Sequence, residues 1–461
     1  MACGRITLEM NHSRTVVAFL AAIAEAGCAH SPESAAPSIP LVTLTGAPYQ
    51  PGTGSLAIQC GTLIDGLATQ PMTDATIVIR SGRIASVKPG LERPKDLPLL
   101  DLREYTCLPG LIEMHDHITE ASEDTADLTV YFRRTAEEQW PLSRRQAEAT
   151  LLAGFTTVRN VGVYRAWSDR ELRDAINLGQ VAGPRMQVCG FYLTISGGGG
   201  DLLLPGVQPA DIPARLRSGV ARGPEQFHIR AHEAVDGGAD LLKVIASGAV
   251  FAYGGVPGEP EMTPEELAAV VQVAHAGGLR VAAHAHGARS IKEAILAGAD
   301  TIEHASLIDD EGISLARQHD VALSMDVYNG DYTDTEGRRQ GWPEEFLRKN
   351  IETTEAQRQA FTRAHAAGVP IVYGTDAGVY PHGLNARQFP IMVERGMSPM
   401  EAIQAATSVA ARYMGWDDRV GALAPGRFGD VIAVKGNPLK EITRLQDVAV
   451  VVKDGLAFKL P

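Results

Sequence analysis

An α/β fold, a (β/α)8 TIM barrel with a small β-sandwich built from both chain ends, is what the 461-residue sequence predicts. Three observations carry this. A helix–glycine–strand cadence recurs through the middle of the chain, eight strand candidates fall between about residues 111 and 375, and both ends carry hairpin patterns. Strands alternating with helices imply a parallel sheet with right-handed crossovers, and eight such units over about 300 residues is the size of a barrel of this kind. An open doubly wound sheet is the structural alternative, but no strand is followed by GxGxxG, so a dinucleotide fold is unsupported.

Residues 1–40 read as a leader and tether. Arg14 precedes the apolar run Thr15–Ala24, which is too short to span a membrane and fits a signal h-region, so export (periplasmic or membrane-anchored) is expected over a cytoplasmic location. Cys28 follows Ala-Gly as at a bacterial lipoprotein cleavage site, where a lipid anchor attaches, although Glu25 stands where that pattern prefers an aliphatic residue. A helical or disordered extension is the plainer alternative. Residues 41–108 hold LAIQCGTLID and ATIVIRSGRIASVKPG, apolar alternations that turn at Ser-Gly, and residues 416–461 repeat that grammar in GRFGDVIAVKG and VAVVVKDGLAFKL. Two such segments at opposite ends can pair into one small domain, which leaves residues 109–415 for the barrel. Within it, Gly154, Gly238, Gly278, Gly298 and Gly368 stand where helix ends need a left-handed residue.

Forty-two basic against 55 acidic side chains give a net charge of −13, with no basic stripe of the sort a phosphate backbone requires, so nucleic acid is excluded as a partner. Five cysteines (Cys3, Cys28, Cys60, Cys107, Cys189) lie scattered without CxxC spacing, which argues against a disulfide scaffold or a four-cysteine zinc site and leaves most of them as buried small residues.

The chemistry gathers at strand ends. His115 and His117 close the first barrel strand as His-Asp-His, and alternate residues on a strand face the same side. His284 closes the fifth strand, with His286 two residues on; His304 closes the sixth, and Asp376 follows the eighth. All fall at the carboxyl mouth, where barrels carry their sites. A lone histidine is usually a hydrogen-bonded structural residue, but this set together points to metal. Lys243 interrupts the apolar fourth strand, where burial disfavours its charged form. A neutral amine there can take up CO2 as a carbamate, an anionic ligand able to bridge two metal ions; a snorkelling or acid-paired lysine is the bland alternative.

Together these residues resemble the metal-dependent amidohydrolase superfamily, in its two-metal subtype with a bridging carboxylated lysine. The resemblance runs from about residue 56 to 461, through LPGLIEMHDH, GADLLKVIASG, VAAHAHG, AGADTIEHAS, YGTDAGVYPHG and GALAPGRFGDVIAV. Within the superfamily it is strongest to the branch of Xaa-Pro and Xaa-Arg dipeptidases, ochratoxin-hydrolysing amidases and imidazolonepropionase relatives. The resemblance implies one metal ion on His115, His117, Lys243 and Asp376, and a second on Lys243, His284 and His304. Zinc suits these ligands, with manganese, iron or cobalt as alternatives. It further implies that a metal-bridging hydroxide attacks the amide, that His286 helps polarise the scissile carbonyl, and that Asp376 passes the proton to the leaving amine.

Two departures stand out: Gly197-Gly198-Gly199-Gly200 where relatives commonly show Gly-Gly-His, and Gln388 where relatives often have glutamate. Neither touches the metal set; both bear on substrate preference. The expected substrate is an N-acylated amino acid, either a dipeptide or an ochratoxin-like acyl-phenylalanine. Cyclic amide hydrolysis or deamination, phosphotriesterase or lactonase activity, and an inactive barrel serving as an assembly module are the alternatives. Tyr253, Tyr328 and His382 are the expected substrate contacts, on or near the mouth loops 192–226, 247–262 and 326–356. A homo-oligomer is expected only because relatives often assemble.

Overall fold

The computed structural model describes residues 38–39, 41–42 and 48–461. The leader over residues 1–40, with Cys28, lies outside the described residues except for 38 and 39. Among the described residues no helix is long and apolar enough to cross a membrane.

The chain enters through β1 (Leu56–Leu63), β2 (Met72–Arg80), β3 (Arg83–Pro89) and β4 (Leu99–Pro109). Nine parallel strands follow. β5 (Leu111–Asp116), β6 (Phe155–Asn160) and β7 (Arg185–Gln187) form one sheet. β8 (Tyr192–Leu193), β9 (Leu241–Ile245), β10 (Arg280–Gly287), β11 (Thr301–Leu307), β12 (Ala322–Ser324) and β13 (Ile371–Val372) form a second, in sequence order across the sheet. The last strands, β14 (Val431–Lys435), β15 (Val448–Lys453) and β16 (Leu456–Lys459), return to the first group and complete a seven-stranded sheet ordered β16-β15-β14-β4-β1-β2-β3.

All eight expected barrel strands form. β5, β6 and β9 are buried along their whole length, as strands covered on both faces of a parallel sheet are. Two features differ from expectation. Hydrogen bonding groups the strands as three plus six rather than in one ring, because the chain turns at Gly190 (φ 80°) between β7 and the unexpected two-residue β8. The expected sandwich is one continuous, largely antiparallel sheet, since β4 joins β1 on one side and β14 on the other.

Helices are punctuated as the sequence suggests. Thr135 and Thr263 cap the helices Ala136–Leu152 and Pro264–Ala276 in reciprocal bonds with Glu138 and Glu266. Gly298 ends the helix Ala288–Ala297 at φ 100°, a conformation that L side chains rarely adopt.

The cysteine reading needs correction. Cys60 and Cys107 form a disulfide with their Cα atoms 6.0 Å apart. They are 47 residues apart in sequence, and only the parallel pairing of β1 with β4, with its register shift between Cys60 and Thr62, brings them together. Spacing alone carries no sign of such a contact. Cys189 is buried and free; Cys3 and Cys28 lie outside the described residues.

One further feature of the topology positions the site. The segment after β13 runs beside β5: Met114 N donates to Tyr373 O (2.8 Å), Asp376 N to His115 O (2.8 Å) and His117 N to Ala377 O (2.8 Å). The end of the eighth expected strand is thereby placed against the end of the first.

Candidate metal centre

This pairing sets Asp376 Oδ1 3.1 Å from His117 Nε2 and 3.4 Å from His115 Nε2. β10 and β11 bring the remaining imidazoles to the same place. The ring of His304 lies 4.7 Å from that of His115, 4.5 Å from His284 and 4.6 Å from His286, centroid to centroid. Lys243, on β9 next to β10, is 1% exposed and lines the same cleft. The six residues expected as metal ligands are thus gathered around one cleft, together with His286.

His304 and Asp376 adopt φ of 68° and 61°, where non-glycine residues are strained by about 1–3 kcal/mol each. Surrounding bonds hold both. Gln357 Nε2 donates to His304 O at 3.0 Å, and Asn329 Nδ2 donates to Asp376 Oδ2 at 2.9 Å. Strain of this kind collects where side-chain direction matters more than backbone comfort.

The remote ring nitrogens fix which nitrogen is left facing the cleft. His115 Nδ1 bonds Glu303 Oε2 (2.8 Å), His304 Nδ1 bonds Asp326 Oδ1 (2.9 Å), and His117 Nδ1 bonds Gly162 O (3.1 Å). Each pairing holds the proton on Nδ1 and leaves Nε2 as a lone-pair donor, the usual arrangement of a metal-ligating histidine. His115 Nε2 is a buried nitrogen without a hydrogen-bond partner. Burial pushes His115 down to about 4, and burial with neighbouring imidazoles holds His284 and His286 well below the ordinary histidine value, so these rings are neutral. Burial pulls His117 the same way, but the Asp376 carboxylate outweighs it and raises the ring to about 9. That proton has to leave if a cation binds. Burial lowers the Lys243 amine, and no described residue accepts a hydrogen bond from it.

The donor set fits metal. The ligand atoms of His115, His304 and Asp376 lie within 4.8 Å of one another, as do those of His284, His286 and His304. Three neutral imidazoles (His115, His284, His286), an ionised carboxylate and an amine with no hydrogen-bond acceptor among the described residues are hard to account for as a purely structural cluster.

Several supporting residues escaped the sequence reading. Glu303 is held by Arg159 (2.7 Å), which also bonds Thr301 Oγ1 and Met114 O. Arg159 is a buried charge in β6 as Lys243 is in β9, but the β6 sequence FTTVRN is largely polar, so no break in an apolar run marked it. Asp326, Asn329 and Gln357 hold His304, and only Asp326 lies close to a strand end. Changing Glu303 to Gln is expected to lower metal affinity about 10–100-fold by loosening His115. It should also cost about 3–5 kcal/mol of stability by leaving Arg159 buried without a counter-charge. Metal titration and denaturant melts of that variant check both numbers.

The expected substrate contacts are not brought to the cleft. Tyr328 packs on Tyr380 (5.2 Å) and takes a hydrogen bond from Arg387 at 3.0 Å. His382 is tied to Asp116 at 2.8 Å, on the opposite side of β5 from His115 and His117. Tyr253 lies against Phe346, outside the lining. Their neighbours Phe251 and Asn329 line the cleft instead. The region 326–356 is largely helical rather than a loop. Much of the lining comes from an unexpected source, the segment after β5, which supplies Glu120, Leu128 and Tyr131.

The two sequence departures have structural causes. A Cβ at Gly199 would meet Ala249 Cβ at 2.7 Å, and one at Gly200 would meet Tyr192 Cβ at 2.8 Å, so this wall has no room for a histidine at either position. Gln388 is buried and donates to Gly374 O at 2.9 Å. The whole cleft encloses about 970 Å³, counting its mouth.

Parallel strands whose carboxyl ends meet in such a cleft, with this set of side chains, make a candidate active site. Residues 106–457 match the amidohydrolase family, and the chain belongs to it. It is 30% identical over 427 residues to the ochratoxinase of Aspergillus niger, a match spanning 88% of this chain and 86% of that protein. It superposes on a Xaa-Pro dipeptidase crystallised with methionine in the active site at a TM-score of 0.82 and 35% identity, covering 88% of this chain and all (100%) of that one. Imidazolonepropionase of Solibacter usitatus is more distant, at 25% over 437 residues, 85% of this chain and 89% of that protein. The chain is accordingly a hydrolase acting on carbon–nitrogen bonds.

Proposed function

We propose that this protein hydrolyses the amide bond of N-acyl amino acids, dipeptides or ochratoxin-type acyl-phenylalanines, at a centre of two divalent metal ions bridged by carboxylated Lys243. The gathering of His115, His117, His284, His304 and Asp376 around a buried lysine amine without a hydrogen-bond partner carries this reading. The similarity to a Xaa-Pro dipeptidase and to an ochratoxinase supports the substrate class.

His115, His117 and Asp376 would hold one ion and His284 and His304 the other, with the carbamate of Lys243 shared. Zinc suits this donor set. When bound, such ions supply Lewis acidity, ionising water near neutral pH and polarising a carbonyl. The carbamate forms when the neutral Lys243 amine adds to CO2 and loses one proton, and burial favours that neutral amine.

The protein's own groups then divide the work. Asp376 Oδ2, held by Asn329, takes the proton from the attacking water and delivers it to the departing nitrogen, which cannot leave as an anion. Ser306 Oγ sits 2.8 Å from His286 Nδ1; with the hydroxyl as donor, His286 would keep Nε2–H facing the cleft to bond the carbonyl oxygen as charge builds on it. Changing His286 to Ala is expected to lower kcat about 10²–10³-fold while metal content stays near normal. Loss of metal in that variant would place His286 among the ligands, a role its nearness to His284 and His304 allows.

We read the two parallel sheets as one (β/α)8 barrel over residues 109–415 and the chain as exported. The Cys60–Cys107 disulfide supports export, since such bonds persist in oxidising compartments. A library of dipeptides and N-acyl amino acids offered to the zinc-loaded protein tests the activity. Release of free amino acid from members of either set is expected. Cleavage confined to lactones, phosphotriesters or cyclic amides would overturn the reading.

A further inference from the structure

We infer that Glu120, Tyr131, Tyr164 and Tyr192 form a subsite in the cleft wall that takes a cationic nitrogen of the substrate. This rests on the amide-hydrolase reading above, to which it adds a substrate preference.

Glu120 stands three residues beyond His117, on the segment that leaves β5. Its backbone is fixed at both ends of the peptide unit, N donating to His117 O at 2.8 Å and O accepting from Gln146 Nε2 at 2.6 Å. One carboxylate oxygen accepts from Tyr164 N at 3.0 Å. The other takes no hydrogen bond from a described residue, and the side chain lines the cleft. A carboxylate held this way in a largely enclosed wall is costly without a counter-charge.

The protein supplies that counter-charge poorly, since the one charge partner Glu120 has, the His117 ring, is already engaged by Asp376. Asp326 and Asp376, the other acids of the lining, are engaged by His304, Gln357, His117 and Asn329. The arginines nearest in the chain, Arg133 and Arg134, are spent on Asp127 at 3.1 Å and on Asp124 in a two-pronged pair at 2.6 Å. No arginine lines the cleft, and Lys243 is its sole lysine.

Around Glu120 the wall is aromatic. The rings of Tyr131 and Tyr164 lie 4.8 Å apart and those of Tyr164 and Tyr192 5.4 Å apart, centroid to centroid, and all three line the same cleft as the carboxylate. A carboxylate beside several aromatic faces is the environment that binds an ammonium group, through charge and through the ring quadrupoles. It repels a carboxylate. Two sources of that nitrogen share the chemistry, the α-ammonium of a free amino terminus and a basic side chain.

The test uses the full-length, metal-loaded protein. Calorimetry compares hexylammonium with hexanol, neither of which carries a scissile bond, so the subsite is read without turnover. Wild type is expected to bind hexylammonium at least tenfold more tightly than hexanol. Glu120→Gln should reduce that preference to near unity, and Tyr131→Leu should reduce it in part in a protein that keeps its carboxylate. Equal binding of the two probes by wild type, or a preference that survives both substitutions, overturns the proposal. Hydrolysis then assigns the source. A preference for Leu-Pro over N-acetyl-Leu-Pro points to the α-ammonium, and one for N-acetyl-Lys-Pro over N-acetyl-norleucyl-Pro to a side chain. Failure of every amide to turn over counts against the amide-hydrolase reading, while the calorimetry still decides the subsite.

Discussion

Replacing Lys243 with Ala is expected to empty the site of metal and to lower turnover about 10³-fold or more. The reasoning begins with burial. The amine is 1% exposed and has no hydrogen-bond acceptor among the described residues, so its retention in β9 is unexplained by packing. His115, His284 and His286 are neutral and Asp376 is the one carboxylate among the expected ligands, which leaves the donor set short of negative charge for two divalent ions. The proposed carbamate on Lys243 would supply that charge. Alanine removes it without disturbing the backbone of β9. Metal content and kcat/KM of the variant check the prediction together, and near-normal values of both would refute the bridging role.

Replacing Asp376 with Asn is expected to lower kcat about 10²–10⁴-fold while leaving most of the metal bound. Burial favours the protonated acid here, but the hydrogen bond and charge of His117 outweigh it, and Asp376 stays below the usual carboxylate range. It is therefore a base at working pH, fixed by Asn329 and by its left-handed backbone. Asparagine keeps one oxygen facing His115 and His117 but cannot carry a proton. An unchanged kcat would remove Asp376 as the carrier, whereas loss of metal with the rate would leave ligation as its principal role.

The parts of this site that could be read from sequence share a physical reason. Strand ends in parallel sheets are marked by apolar runs and glycine stops, so the addresses of His115, His117, His284, His304 and Asp376 followed from local pattern. Lys243 was legible because a charge in a doubly buried strand is costly. Arg159 sits in the largely polar FTTVRN of β6, so its burial and its pairing with Glu303 became identifiable only in the fold. Contacts set by loops were not legible. Tyr131 and Tyr164 come from segments without periodicity, and Tyr328 and His382 turned out to be anchored away from the cleft by Arg387 and Asp116. The Cys60–Cys107 pair depended on sheet order, which no spacing rule encodes.

The most direct test is a crystal structure of the zinc-grown protein recorded at the zinc absorption edge. The account predicts two anomalous peaks, one beside His115, His117 and Asp376 and the other beside His284 and His304, with continuous carboxylate density extending from Lys243 Nζ between them. A single peak beside an unmodified lysine would contradict it.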